Sequence, residues 1–238
     1  MNTKETSLSK FLATAGIAAR RKVVDVIKNG EITVNHHVIT EPGYKITSKD
    51  TVRYQSKEVR QPEKVYILLN KPRNYITTVK DERDRKTVLN IIDDSISSRL
   101  YPVGRLDRNT TGLLLLTNDG ELAQKLSHPR HETSKAYRVT LTKPFDTLSL
   151  DKLNFGINLT DGFIKPDRLY LVPGSKKTQV IIEIHSGKNR IIRRIFEKLG
   201  YEIYQLDRFK YAGLTKKNLL IGKWRHLTAK EIETLKKQ

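Results

Sequence analysis

Asp107 stands between Arg105 and Arg108 in the stretch Gly104-Arg-Leu-Asp-Arg-Asn-Thr-Thr-Gly112, and the apolar run Leu113 to Leu116 follows. Two glycines framing a charged loop ahead of a buried strand can hold one carboxylate at a cleft edge on a rigid support. The neighbouring cations favour the ionised form that a nucleophile or base requires. A surface turn with salt bridges has the same composition. A second concentration is His185-Ser-Gly-Lys188-Asn-Arg190-Ile-Ile-Arg193-Arg194. Here a strand turns through glycine into a helix start carrying four cations. Free backbone N–H groups at such a start suit phosphate, and a solvated basic face is the plainer alternative. If Ile191, Ile192 and Ile195 pack inward, Arg190 and Arg194 lie on one side and Arg193 on another. Lys135-Ala-Tyr137-Arg-Val places an aromatic between cations on a strand. Tyr137 is suited either to stacking on a base or to packing in the core.

Other chemistries lack their residues. Without cysteine there is no disulfide framework, thiolate nucleophile, zinc finger or iron–sulfur cluster. His128-Pro-Arg-His131 has proline inside the pair, and His131-Glu132 lacks the second histidine of a zincin. There is no Gly-x-Ser-x-Gly elbow, Walker A sequence or Gly-x-Gly-x-x-Gly fingerprint. ATP, NAD and flavin chemistry are thus unsupported and the histidines offer no good metal site, while counting alone leaves a Ser-His-Asp triad open.

The elements that must position these residues follow from periodicity. Leu8, Phe11 and Leu12 mark a helix closed by Gly16, and Val23, Val26 and Ile27 mark a second from about Ala18 to Lys28. Short strands are expected at 32–35, 36–39 and 50–54, and the polar stretch 56–64 reads as a linker. The expected domains are 1–60 and 61–238. In the second, strands are expected at 65–70, 113–117, 136–141, 169–172 and 179–185. Helices are expected after Asp119 and from Lys188 to Leu199. Strands and helices do not alternate regularly, so α+β is expected rather than a doubly wound parallel sheet.

The 238 residues carry 45 Lys+Arg against 26 Asp+Glu, a net charge of +19. The excess is spread over both segments: 11 basic against 6 acidic side chains in 1–60, and 34 against 20 in 61–238. A folded body with such an excess attracts nucleic acid. No apolar run approaches the ~20 residues of a membrane span. The first residues lack the apolar core of a secretory signal. A cytoplasmic protein that does not enter membranes is expected.

Taken in order, these motifs resemble the RsuA/RluB-type ribosomal RNA pseudouridine synthases. GRLDRNTTGLLLLTNDGEL resembles the family's catalytic loop, KAYRV its second motif and GKNRIIRRIFEKLG its third. GLTKKNLLIGKWRHLTAKEI resembles its closing segment, and SKFLATAGIAARRKVVDVIKNGEITVN the helical core of an S4 RNA-binding domain. The resemblance implies a small α/β S4-like domain ahead of a catalytic domain built on a mostly antiparallel mixed sheet with flanking helices. It implies isomerisation of uridine to pseudouridine in ribosomal RNA, with the large-subunit 23S RNA favoured over 16S and no cofactor. Asp107 matches the catalytic aspartate and Tyr137 the tyrosine that stacks on the target base. Arg193 matches the basic partner of the aspartate, with Arg190 or Arg194 as the other registers. Arg105, Arg108, Lys135, Lys188, Arg190 and Arg194 are the implied RNA contacts of the body, and Arg20, Arg21 and Lys22 those of the S4-like segment. The implied partner is ribosomal RNA or an assembly intermediate, bound by a monomer. A non-catalytic ribosomal RNA-binding or assembly protein is the alternative. Two positions depart from the pattern: Ala19 where a serine commonly caps the second helix, and Lys188 where arginine is frequent.

Overall fold

A computed structural model describes residues 5–79, 81–92, 96 and 100–238. The chain divides into two compact units, Met1–Lys64 and Val65–Gln238.

The first unit opens with β1 (Thr6–Ser7) and α1 (Leu8–Ala15), which Gly16 closes in the left-handed region at φ 88°. In α2 (Arg20–Lys28) the N-cap is Ala19, which offers no side-chain acceptor. Leu8, Leu12, Val23 and Ile27 are the buried faces of these helices. β2 (Ile32–Val34) and β3 (His37–Val38) form a hairpin. Its turn residues, Asn35 and His36, both take positive φ, as a two-residue turn of this hand requires. β4 (Lys45–Ile46) pairs with β1, and β5 (Val52–Tyr54) with β2. β6 (Lys57–Glu58) pairs with β5, and Val59 is buried in the same core. The polar stretch expected as a linker thus begins inside this sheet. A two-residue strand of charged side chains leaves no hydrophobic period to detect.

The second unit is a mixed α+β body. Its strands and helices begin with β7 (Tyr66–Lys71), β8 (Tyr101–Pro102), β9 (Thr111–Thr117), α3 (Gly120–Ser127) and β10 (Lys135–Leu141). They continue with α4 (Thr147–Phe155), β11 (Ile157–Leu159), β12 (Gly162–Ile164), β13 (Arg168–Leu171) and β14 (Gln179–Ile184). The chain closes with α5 (Ile191–Lys198), β15 (Ile203–Tyr211), β16 (Leu214–Thr215), β17 (Trp224–His226) and α6 (Ala229–Lys237). The main sheet runs β13-β14-β10-β15-β9-β7-β17, with β8 on β9 and β16 on β15. The β9–β15 pair is parallel and the other pairs of this sheet are antiparallel. The expected α+β architecture on a mostly antiparallel mixed sheet holds.

Period-two alternation splits the central strands between two cores. Ile67, Leu69, Leu114 and Leu116 join the face that α4 and α5 cover through Leu153, Ile195 and Phe196. Leu68, Leu113 and Leu115 join the opposite face, where α3 and α6 supply Leu122, Leu126 and Leu235. Burial on both faces explains why these strands read as continuous apolar runs. Where β9 meets β15, Gly112 lies opposite Arg208 with φ 115°. A Cβ there would stand 2.2 Å from the Arg208 carbonyl oxygen, so this position needs glycine twice over. One expected boundary moves: α5 starts at Ile191 rather than Lys188, because Arg190 takes a left-handed conformation at φ 47° and turns the chain first.

Candidate active site

The Asp107 loop is pinned from beneath by a lysine. Lys71 ends β7 fully buried, and its ammonium donates to four carbonyls: Pro72 at 3.0 Å, Asp107 at 3.1 Å, Arg108 at 3.2 Å and Thr110 at 2.8 Å. Three of these belong to the loop, so one cation gathers the backbone around the carboxylate. Burial pushes the Lys71 ammonium down to about 8, with the Asp107 carboxylate opposing the shift. Thr77 adds a reciprocal clamp: its hydroxyl donates to the Leu106 carbonyl at 2.8 Å and accepts from the Leu106 N–H at 3.2 Å. The Asn74 N–H donates to the Arg108 carbonyl at 2.9 Å.

Two arginines from the loop before α5 and its first turn reach the carboxylate. Arg193 Nε donates to Asp107 Oδ2 at 3.3 Å, and Arg190 donates to the same oxygen at 3.5 Å. Among the described residues Oδ1 accepts no hydrogen bond. One oxygen is held and the other is free to react. A partly exposed ion pair of this kind contributes under ~1 kcal/mol to stability, so its main effect is on orientation. The expectation that Arg190 and Arg194 would share a side fails. Arg190 joins Arg193 at Asp107 because the left-handed turn swings its side chain over the loop. Arg194 turns away, at 2.8 Å from Asp161, whose backbone carbonyl accepts from Lys188 Nζ at 2.5 Å.

Asp107 lines a cleft of about 140 Å³ together with Arg105, Leu106, Lys135, Tyr137, Arg193 and Arg208, among others. That is far more room than the roughly 10–15 Å³ one water needs. The β10–β15 register slips between Ala136 and Tyr137, leaving Phe209 as an extra residue. Bulges of this kind re-aim neighbouring side chains, and here the neighbours are Tyr137 and Arg208. Tyr137 is mostly buried in the core and also lines the cleft.

Of the residues expected from sequence, Asp107, Tyr137, Arg193, Arg105, Lys135, Lys188 and Arg190 come together at the cleft. Arg108 lines an adjoining cavity with Asp81 and Arg85. Arg194 lies off it, on Asp161. Arg20, Arg21 and Lys22 are exposed on the first turn of α2 in the other unit. Three cations at the positive end of a helix dipole repel it, which an incoming phosphate would relieve. Sequence reasoning missed Lys71, Thr77, Arg208 and Tyr211. A lysine just beyond the apolar run Tyr66 to Leu69, after Asn70, was the available sign for Lys71. Arg208 gave none, because Leu-Asp-Arg-Phe-Lys reads as a polar stretch. Among the described residues no group of three or more His, Asp or Glu is placed to hold a metal, and no helix is long and apolar enough to cross a membrane.

Comparison with known proteins agrees with this geometry. Residues 65–198 match the family model for RNA pseudouridylate synthase, and residues 7–52 that for the S4 domain. The chain is 42% identical to "Ribosomal large subunit pseudouridine synthase B" of Bacillus subtilis, over 96% of this chain and 95% of that one. It is 32% identical to "Ribosomal small subunit pseudouridine synthase A" of Vibrio vulnificus, over 96% and 98%. A crystal structure of a pseudouridylate synthase superposes with a TM-score of 0.69 at 28% identity, covering 96% of this chain and 99% of that one. With the loop, its arginine partners and the preceding RNA-binding unit in place, the chain belongs to the RNA pseudouridylate synthase family and is an enzyme that isomerises uridine in RNA.

Proposed function

We propose that the enzyme is of the RsuA/RluB type and forms pseudouridine in ribosomal RNA, with 23S RNA as its substrate, acting as a cytoplasmic monomer. The observation that carries the reading is the Asp107 carboxylate, held through Oδ2 by Arg193 and Arg190 with Oδ1 free, at the edge of a cleft lined by Tyr137. The large-subunit choice rests on the higher identity to the Bacillus subtilis relative than to the Vibrio vulnificus one.

The chemistry follows from what the reaction needs. Uridine is detached at N1, turned and rejoined at C5, with no net redox change and no atom lost. A base stacked in RNA cannot turn in place, so it is flipped out at a cost of a few kcal/mol. Stacking on Tyr137 offsets about 1–3 kcal/mol of that. Asp107 then either attacks C1′ or takes a proton from C2′ to leave a glycal; both routes need a carboxylate oxygen beside the ribose. Arg105, Arg108, Lys188, Arg190 and Arg194 hold the flanking backbone, and Lys135 lies deeper beside the base. Arg20, Arg21 and Lys22 grip RNA through the first unit.

The test is direct. Deproteinised 23S and 16S RNA, and assembly intermediates, from a strain lacking the activity are incubated with the protein, and pseudouridine is mapped chemically. The expected result is new pseudouridine in 23S RNA. Modification confined to 16S RNA overturns the subunit choice, and no new pseudouridine in either overturns the ribosomal substrate.

A further inference from the structure

Besides the exposed Arg105, two cations of the cleft have no carboxylate partner among the described residues. Lys135 and Arg208 both line it. Arg208 is 2% exposed, donates from Nε to the Leu113 carbonyl at 2.8 Å, and lies 4.5 Å over the Tyr211 ring. One of its terminal nitrogens, Nη2, is buried with no hydrogen-bond partner among the described residues. The Lys135 ammonium rests on the carbonyls of Thr133 at 2.7 Å and His185 at 3.3 Å. Among the described residues neither forms an ion pair, while Arg190 and Arg193 take Asp107 and Lys210 takes Glu183. Burial, and then repulsion from Arg208, push the Lys135 ammonium down to about 8. Neighbouring unpaired cations in a folded interior are costly. Such a pair is explained if an anion forms between them during turnover.

The reaction itself makes one of the right shape. When the C1′–N1 bond breaks, its electron pair stays on the ring, and uracil leaves as an anion delocalised over N1, O2 and O4. A bulky phosphodiester suits the exposed rim, whereas a flat ring suits the cleft. We propose that Lys135 and Arg208 bind and stabilise the detached uracil anion.

The bookkeeping of charge supports this, resting on the role of Asp107 given above. In the direct route Asp107 loses its charge by forming an ester at C1′. In the glycal route it loses it by taking the C2′ proton. Either way one negative charge passes from the carboxylate, held by Arg193 and Arg190, to the ring, held by Lys135 and Arg208. On rejoining, C5 supplies the electron pair to C1′, the C5 proton is lost to water and N1 takes one from water. Asp107 is restored, and atoms and electrons balance. Cations fixed in advance where charge develops act more strongly in a dry cleft than in water. They also retain the free ring while it turns.

The test varies the leaving group. Single-turnover rates of target N-glycoside loss are measured by nuclease digestion and chromatography, on an RNA the wild-type enzyme modifies, with uridine or 5-fluorouridine at the target. Fluorine lowers the basicity of the departing ring, so its bond needs less help. Lys135→Met and Arg208→Gln are each expected to slow uridine about 100-fold but 5-fluorouridine only about 10-fold, with RNA affinity within about threefold. Arg208→Lys, which keeps the charge, is expected to fall between wild type and Arg208→Gln. If Arg208→Gln does not fold, Lys135→Met carries the test, since its side chain is only partly buried. Equal losses on both substrates, or a loss confined to affinity, overturn the inference. Failure of the Asp107 role appears separately, as isomerisation surviving in Asp107→Asn.

Discussion

On the rim of the cleft, Arg190 and Arg193 share one oxygen of Asp107, while Arg194, off the cleft, pairs with Asp161 beside Lys188. Beneath the loop and on the cleft floor, Lys71, Lys135 and Arg208 rest on backbone carbonyls. Rim cations are partly exposed and can exchange a carboxylate for a phosphate at little cost. Lys71 and Arg208 are buried, and water cannot replace what they hold. One kind of side chain therefore has two settings here, open to a polyanion at the rim and fixed on backbone carbonyls inside, and burial decides which.

The sharpest break in this contrast comes at the carboxylate between the two layers. Asp107→Asn should slow single-turnover isomerisation at least ~10³-fold while RNA affinity stays within a few-fold. A large loss of affinity instead would make Asp107 a structural member of the rim. Gly112→Ala should destabilise by about 3 kcal/mol or more, because the new methyl meets the Arg208 backbone that carries the floor cation. Urea unfolding of the variant measures this directly. Lys71→Met removes the lysine donor from the Pro72 and Thr110 carbonyls, while the Arg108 and Asp107 carbonyls keep the Asn74 and Thr110 N–H groups, so about 2 kcal/mol of stability should be lost. Isomerisation should slow with it, as the Asp107 loop loosens.

The Lys71 ammonium also predicts a split with pH. Its folded value of about 8 lies below the ordinary 10.5, so from pH 8 to 10.5 the unfolded chain binds more protons. Its contribution to stability therefore rises with pH across that window. Activity should fall over the same range, because a neutral amine has two hydrogens for four carbonyls. Denaturant midpoints and single-turnover rates at each pH test the split, and a parallel rise in both would remove Lys71 from the loop's support. The smallest effect belongs to the most exposed cations. Replacing Arg20, Arg21 and Lys22 together by alanine should lower the slope of log affinity against log salt by about 2–3, with the rate at saturating RNA unchanged.

Much of the site was legible because it is local. Gly104 to Gly112 shows a carboxylate among cations, and Asp119 and Gly16 mark helix ends by type alone. Which arginine meets Asp107 was not legible. It depends on the left-handed turn at Arg190, where helical spacing predicts a continuous helix. β15 went unread for a related reason. Its Arg208 is buried, so the strand lacks the alternation by which half-buried strands are recognised. β6 was too short and too charged to read, although Val59 anchors it.

By itself the sequence determined the class of partner, through +19 of charge, and the class of chemistry, through one carboxylate in a framed loop with no cysteine anywhere. Composition and short motifs carry such information because charge and reactivity belong to individual side chains. Tertiary structure alone decided that Lys71, 36 residues before Asp107, gathers the backbone beneath it. It alone decided that Arg193 and Arg190, from more than 80 residues beyond, share one of its oxygens. It also left Arg208 buried, and Lys135 partly buried beside it, without a counter-ion among the described residues. Those outcomes depend on which strands pair and which groups lose water, and neither is a property of any short stretch of chain.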